Sequence, residues 1–392
     1  MTPSARLQAA IELLDEIIFA ARDDGASADA IIRKYFTTRR YAGSKDRRAV
    51  REHVYSAIRR FGERPDSGRN AMLGLAKENA ELAALFDGSD YGPATIKPDE
   101  MTASGSEFPE WLDSKFAEPI DATARKVLLD RADLHIRVYP RKAADISIGS
   151  IWPDAKALAL PHSYSLPNGT RVDNSAPYHD GLIEIQDLGS QAIVTAGSRH
   201  QPNTVLDLCA GAGGKTLGLA AQLPNDTKIV ASDTDRSRLS RLKPRMERTG
   251  AGNIETILLH PHREMESLEH LKGKCDLVVV DAPCTGTGTW RRNPELRWRI
   301  TPKRLQKITQ LQQRLLQLGR EFVAPRGRLL FAVCSLLDDE GPDQIEKFLQ
   351  SHSDWRNIEV DLPLGRPYRK GTLLSPYHDG TDGFYFSCLE KL

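Results

Sequence analysis

Two cysteines stand at the ends of short apolar runs. One run is Leu277-Val278-Val279-Val280-Asp281-Ala282-Pro283-Cys284, and the other is Leu329-Leu330-Phe331-Ala332-Val333-Cys334-Ser335. Such runs predict buried strands of a parallel sheet. Ligands of open α/β sheets sit beyond the carboxyl ends of the strands, so both thiols are expected to face one crevice. Asp281 precedes Cys284 by three residues on the same tight turn. A carboxyl group there could hydrogen-bond a pyrimidine ring nitrogen and exocyclic amine, while a thiol adds to the adjacent ring carbon. Cysteine suits that addition because its thiolate is strongly nucleophilic near neutral pH. The residues alone leave the two thiols equivalent.

A second chemical feature lies upstream. Thr204-Val205-Leu206-Asp207-Leu208 runs into Cys209-Ala210-Gly211-Ala212-Gly213-Gly214-Lys215-Thr216. A buried strand is followed by a glycine-rich turn and a helix, which lets a ligand approach the backbone closely. A phosphate-binding P-loop needs glycine, four residues, then Gly-Lys-Ser/Thr, and position 209 is Cys. A dinucleotide fingerprint needs glycine at 216, which is Thr. S-adenosylmethionine fits better: Asp207 would lie near its methionine end, and Asp233, closing Val230-Ala231-Ser232-Asp233, would hold the ribose hydroxyls.

The charge is patterned although the net value is only +1. Residues 33–60 carry ten Arg and Lys, including Arg47 and Arg48, against Asp46 and Glu52. Residues 291–304 carry Arg291, Arg292, Arg297, Arg299, Lys303 and Arg304 against Glu295, beside Trp290 and Trp298. Residues 78–121 are mostly acidic. Two basic patches predict a polyanion partner, with the tryptophans stacking on bases.

The elements that must position these groups follow from periodicity. Apolar residues recur at helical spacing over 4–23, and further helices are expected at about 27–36, 45–62 and 70–86. They form an all-α domain over 1–86. Residues 87–120, rich in Gly, Pro, Ser and acids, read as a linker. Residues 121–200 read as a small α+β domain, with strands at 135–139 and 181–187 and a helix from about Ser190. From 201 to 392 strand and helix alternate, with strands at 204–208, 228–232, 254–259, 276–281, 328–334 and 383–389. The helices there fall at about 214–222, 236–249, 302–323 and 340–351. That alternation predicts a doubly wound α/β domain. No internal repeat is evident.

At 392 residues, with 40% apolar and 27% charged residues, the composition is that of a globular protein of two or three domains. No apolar stretch approaches the length of about 18 residues that a membrane span requires. The N-terminus lacks a signal-peptide core, and five unclustered cysteines suit a reducing compartment. No spacing suggests a metal site. A cytoplasmic monomer is expected, without membrane partners.

Taken together, these segments resemble the RNA (cytosine-5)-methyltransferase family that includes RsmB and the Nop2/Sun proteins. The family's cofactor motif, usually Cys-Ala-x-Pro-Gly-Gly-Lys-Thr, is similar to residues 209–216, with Ala212 in place of proline. Its Asp-Ala-Pro-Cys motif with a following Arg-Arg-x-Pro matches 281–294. Its Thr-Cys-Ser motif with an acidic segment matches 333–340, with Val333 in place of threonine. Its Gln-Asp-x-x-Ser-Gln motif is residues 186–191, and its Asp-Gly-Phe-Phe motif is residues 382–385. Gly43-Ser44-Lys45-Asp46-Arg47-Arg48 and Tyr55-x-x-x-Arg59-Arg60 resemble the NusB-like RNA-binding domain found in the RsmB branch. The resemblance implies a Rossmann-like class I methyltransferase domain preceded by an all-α NusB-like domain and a small α+β RNA-binding domain. It also implies methyl transfer from S-adenosylmethionine to cytosine carbon 5. Cys334 would add to carbon 6, Asp281 would hold ring nitrogen 3 and the amine, and Cys284 would assist release. Lys215 would sit near the cofactor carboxylate or the base. Cofactor contacts would come from Cys209, Ala210, Gly211, Ala212, Gly213, Gly214, Lys215, Asp233 and Asp281. His260 stands where the family usually places an adenine-contacting acid. Arg291, Arg292, Arg297, Arg47 and Arg48 would contact RNA. The NusB-like module favours ribosomal RNA as substrate. The alternatives are the same chemistry on transfer RNA, or a catalytically weak RNA-binding ribosome-assembly factor.

Overall fold

The computed structural model describes residues 1–22, 25–142 and 146–392. The chain divides into two compact units. One holds Met1–Phe116 together with Thr289–Pro302, and the other holds Ala117–Gly288 and Lys303–Leu392.

The first unit is helical. Helix Pro3–Arg22 buries Leu7, Ile11, Leu14, Ile17 and Ile18, the stripe expected from their spacing. Ser27 caps helix Ala28–Thr38 by accepting from Ala30 N. Helix Ser44–Arg60 is held at its start by Asp46, whose Oδ2 accepts from Gly43 N at 3.1 Å. The expected helix at 70–86 is two pieces, Gly68–Ala76 and Ala80–Ala83, and Asn79 caps the second.

The stretch read as a linker, 87–120, is mostly part of this unit. Ser4 Oγ donates to Asp87 at 2.6 Å, Ala103 N to Asn70 O at 2.9 Å, and Gly62 N to Ser106 O at 2.9 Å. Its polar composition serves local hydrogen bonds to the helices, which a composition-based reading takes for solvent exposure. The larger departure is Thr289–Pro302. This segment leaves the α/β unit and packs within the helical one, so the helical unit is discontinuous in sequence.

The second unit carries two sheets. The smaller is antiparallel, ordered Lys156–Ala157, Ser163–Leu166, Leu134–Val138, Ile183–Ile185. Ile136, Val138, Leu166 and Ile183 form its apolar cluster. The larger sheet runs Ile254–Leu258, Lys228–Asp233, Thr204–Asp207, Cys275–Asp281, Val323–Val333, Phe384–Lys391, Gly371–Leu374, Arg366–Tyr368. Its first five strands are parallel, and Phe384–Lys391 runs antiparallel to Val323–Val333. Strand order reverses between Thr204–Asp207 and Cys275–Asp281, which places a ligand crevice at their carboxyl ends. The expected helix at 236–249 is broken into Arg236–Leu239 and Leu242–Thr249. Pro244 explains the break, since its ring clashes with the carbonyl four residues earlier, that of Ser240.

One short repeat does exist. Pro-Tyr-His-Asp-Gly occurs at 177–181 and at 376–380. Both copies fold as a single helical turn after a serine, Ala176–His179 and Pro376–Asp379, and each ends in a left-handed glycine, φ 67° at Gly181 and 69° at Gly380.

Candidate active site

Register brings the two thiols together. Asp281 lies opposite Ala332 in adjacent parallel strands, so Cys284 and Cys334 both emerge just past the same sheet edge. Their Sγ atoms are 3.2 Å apart, and both residues are half-buried. The hydrogen bond with Cys334, followed by burial, pushes the Cys284 thiol well above its ordinary pKa. Cys284 therefore keeps its proton at neutral pH and can share it with Cys334.

Beside the thiols, Lys215 Nζ donates to Asp281 Oδ2 at 2.6 Å. Lys215 is 8% exposed and stands over the Phe384 ring, 5.5 Å from its centroid. Burial alone would lower its pKa, but the Asp281 carboxylate more than offsets that and the net shift is upward. Lys215 stays charged, next to the two thiols.

The glycine-rich turn is built from backbone. Gly211 and Gly213 have φ of 56° and 81°, where a side chain would be strained. A Cβ on Gly213 would come within 2.2 Å of Leu242. Gly213 N donates to Ala210 O at 2.8 Å, and Ala210 N to Ser232 O at 2.9 Å. Arg245 Nη1 reaches the Ala212 carbonyl at 2.5 Å while its Nη2 pairs with the buried Glu184 at 2.8 Å. Hydrogen bonds thus hold the turn where the family usually has proline. Asp233 Oδ2 accepts from Gly211 N at 2.7 Å and Oδ1 from Asp235 N at 2.7 Å, leaving each oxygen a further lone pair. Asp207 accepts from Thr216 Oγ1 at 2.6 Å, and its other oxygen is buried without a partner among the described residues. Burial pushes the Asp207 carboxyl up to about 7. This open backbone turn, flanked by two buried acids, fits the amine, carboxylate and ribose of S-adenosylmethionine.

His260 follows Leu259, whose N donates to Asp233 O at 2.9 Å, and it is exposed. The acid nearest in sequence, Glu264, is 4% exposed and engaged by Arg314 at 2.7 Å. Cys209 is half-buried, while Cys275 and Cys388 are buried.

The motif at 186–191 acts as a hydrogen-bonding hub, a role its residue types did not announce. Gln186 Nε2 donates to Gly214 O at 3.0 Å, at the start of helix Gly214–Gln222. Asp187 accepts from Gly189 N at 2.7 Å and from Asp382 N at 3.1 Å, joining this motif to Asp382-Gly383. Gly383 N in turn donates to Gly288 O at 2.7 Å, and Gly288 N to Cys334 O at 3.1 Å.

The basic segment at 291–299 needs correction. Arg297 was expected to contact RNA, yet it is 1% exposed in the helical unit. Its guanidinium donates to the carbonyls of Ile58, Arg59, Glu107 and Pro294. Burial lowers its pKa to about 9, so it remains charged. Its three nitrogens all donate to backbone carbonyls, and two of these, Ile58 and Arg59, lie at the carbonyl end of helix Ser44–Arg60, where a cation is favoured. Trp290 and Trp298 are likewise buried rather than free to stack on bases. Trp290 stacks on Phe108 at 5.9 Å, and Trp298 Nε1 donates to Phe61 O at 2.8 Å. Arg299 donates to Gly25 O and Ala26 O at 2.9 and 2.7 Å. Arg291 and Arg292 are half-buried, while Arg47 and Arg48 are exposed.

Residues 194–390 match the family described as 16S rRNA methyltransferase RsmB/F. A probable ribosomal RNA small subunit methyltransferase B of Synechocystis sp. is 29% identical over 342 residues, covering 82% of this chain and 76% of that protein. The ribosomal RNA small subunit methyltransferase B of Escherichia coli O127:H6 is 28% identical over 303 residues, covering 74% and 68%. Among solved structures, PH0851 is similar with a TM-score of 0.76 at 20% identity, over 100% of this chain and 99% of that one. NSun6 from Pyrococcus horikoshii with SFG is similar with a TM-score of 0.62 at 16% identity, over 72% and 97%. At these identities the structural likeness speaks to the fold.

Proposed function

The chain belongs to the RsmB/F family of 16S rRNA methyltransferases, and from that premise we propose that it methylates carbon 5 of a cytosine in ribosomal RNA through a covalent cysteine adduct. The observation that carries this reading is the pair of thiols 3.2 Å apart, beside the Lys215–Asp281 pair at 2.6 Å. Two thiols at one sheet edge suit a reaction that must first form and then break a carbon–sulfur bond.

The backbone of Cys209, Ala210, Gly211, Ala212, Gly213 and Gly214, with Asp233, would hold S-adenosylmethionine, and His260, which follows Leu259, would be the residue offered to its adenine. The cofactor, when bound, supplies an electrophilic methyl group. Cys334 Sγ adds to carbon 6 of the base, which makes carbon 5 electron-rich. Asp281 accepts from the exocyclic amine and from ring nitrogen 3 as that nitrogen takes up the Cys334 thiol proton, and Lys215 offsets the negative charge that develops on the ring as sulfur adds. Cys284 serves the release step: its thiol proton passes to the departing Cys334 Sγ, and the thiolate so formed takes the proton from carbon 5. Arg47 and Arg48, exposed on helix Ser44–Arg60, supply phosphate contacts, with Arg291 and Arg292 nearer in sequence to the thiols.

The test is to incubate the purified protein with S-adenosylmethionine and either small-subunit ribosomal RNA or transfer RNA, and to map 5-methylcytosine by bisulfite sequencing. A single protected cytosine in the ribosomal RNA is expected. Protection in transfer RNA alone would move the substrate. Absence of 5-methylcytosine in both would sink the reading.

A further inference from the structure

Glu340 lies six residues beyond Cys334, is 0% exposed, and ends the acidic run Asp338-Asp339-Glu340. Its neighbours in that run are half-buried; Glu340 alone is enclosed. Its carboxylate accepts from Thr285 N at 2.8 Å, the Thr285 hydroxyl, the Ser335 hydroxyl, and Gln312 Nε2 at 3.1 Å. Thr285 follows Cys284 and Ser335 follows Cys334, so one carboxylate grips the residue next to each thiol. Gln312 also donates to Pro283 O at 2.9 Å, on the other side of Cys284. Thr287 Oγ1 and Ser335 Oγ are 3.0 Å apart, which closes the network across both loops.

We propose that Glu340 is a positioning residue that locks the two cysteine loops to each other and so sets the distance between Cys284 and Cys334. A carboxylate suits this task because it only accepts, and here four donors converge on two oxygens. Burying it is costly unless its lone pairs are filled. Burial raises its pKa, and the four donors offset part of that cost. Apolar packing would hold the loops together without fixing their direction, whereas hydrogen bonds weaken steeply off-axis. Proton exchange between the thiols needs hydrogen-bond reach, and a displacement of about 1 Å in such a site costs on the order of 100-fold in rate. Glu340→Gln keeps the shape but turns one acceptor into a donor facing donors.

This inference rests on the two-thiol reaction proposed above, so its test carries a readout independent of catalysis. The full-length protein and its Glu340→Gln variant are treated with diamide, which takes two hydrogens from a pair of thiols. The Cys284–Cys334 disulfide is then followed by non-reducing peptide mapping. Cross-linking in Glu340→Gln is expected to be about tenfold or more slower than in the wild type. Its kcat for methylation should fall with KM for RNA and for S-adenosylmethionine unchanged. Ser335→Ala, which removes one of the four bonds, should fall between them and serves where Glu340→Gln fails to fold. Wild-type cross-linking rates in both variants would overturn the proposal. A fast wild type and slow variants, with no 5-methylcytosine made by any of them, would sustain the clamp and sink the reaction. Wild-type cross-linking and methylation in the variants would sustain the reaction and sink the clamp.

Discussion

Burial, more than any charged partner, governs Asp207. Burial raises its carboxyl from 3.8 to about 7; Thr216 donates to one oxygen, and the other has no partner among the described residues. The native state therefore binds a proton that the unfolded chain has already released. The sign follows from linkage: stability is greatest below about pH 4 for this group and declines as pH rises toward 7. Three units correspond to on the order of 4 kcal/mol. Asp207→Asn mimics the protonated form and still accepts from Thr216. Urea unfolding at pH 5 and pH 8 should show the variant gaining on the wild type as pH rises; an equal gap at both pH values would contradict the burial account. Neither this buried oxygen nor the closeness of the two thiols was legible in the chain. Cys284 and Cys334 end similar strands, and the 3.2 Å contact between their sulfurs treats them alike, since either can donate. What residue spacing did show was that both strands end in a thiol, and register supplied the rest.

At the scale of elements, the segment Thr289–Pro302 changes most between sequence and structure. Its arginines and tryptophans make the pattern of an RNA-binding stretch, and that pattern is identical to one that staples a helix end. Arg297 distinguishes the two, because its partners are carbonyls far away in sequence, at Ile58, Arg59 and Glu107. No local spacing reports such partners. Arg297→Ala leaves those carbonyls buried and unbonded, and should cost about 2–4 kcal/mol in stability, read by thermal unfolding. Arg48→Ala should leave the melting temperature unchanged, weaken RNA binding, and lower the slope of log affinity against log salt by about one. The opposite pattern would return Arg297 to the RNA-contact set. Strands and helices of the α/β unit were legible because buried parallel strands and amphipathic helices carry strong periodicity. The strands Ser163–Leu166 and Gly371–Leu374 were not, since short strands between turns carry little of it.

Across the whole molecule, the chain crosses between the two units three times. The chain leaves the α/β unit after Gly288, four residues past Cys284, and returns at Lys303. Removing residues 1–116 would strip Trp290 of Phe108 and Phe116 and would open the cluster that encloses Trp298. The truncated chain should be lost to aggregation or bind an apolar dye; a soluble, cooperatively melting fragment would show that the inserted segment folds without the helices. A denaturing gel reads the division of labour between the thiols. The protein is incubated with its RNA and S-adenosylmethionine and run under denaturing conditions. Cys284→Ala is expected to trap a slow-migrating covalent protein–RNA band, because release is blocked after Cys334 has added. Cys334→Ala is expected to give neither band nor 5-methylcytosine. A covalent band from Cys334→Ala, absent from Cys284→Ala, would contradict the assignment and exchange the roles of the two thiols.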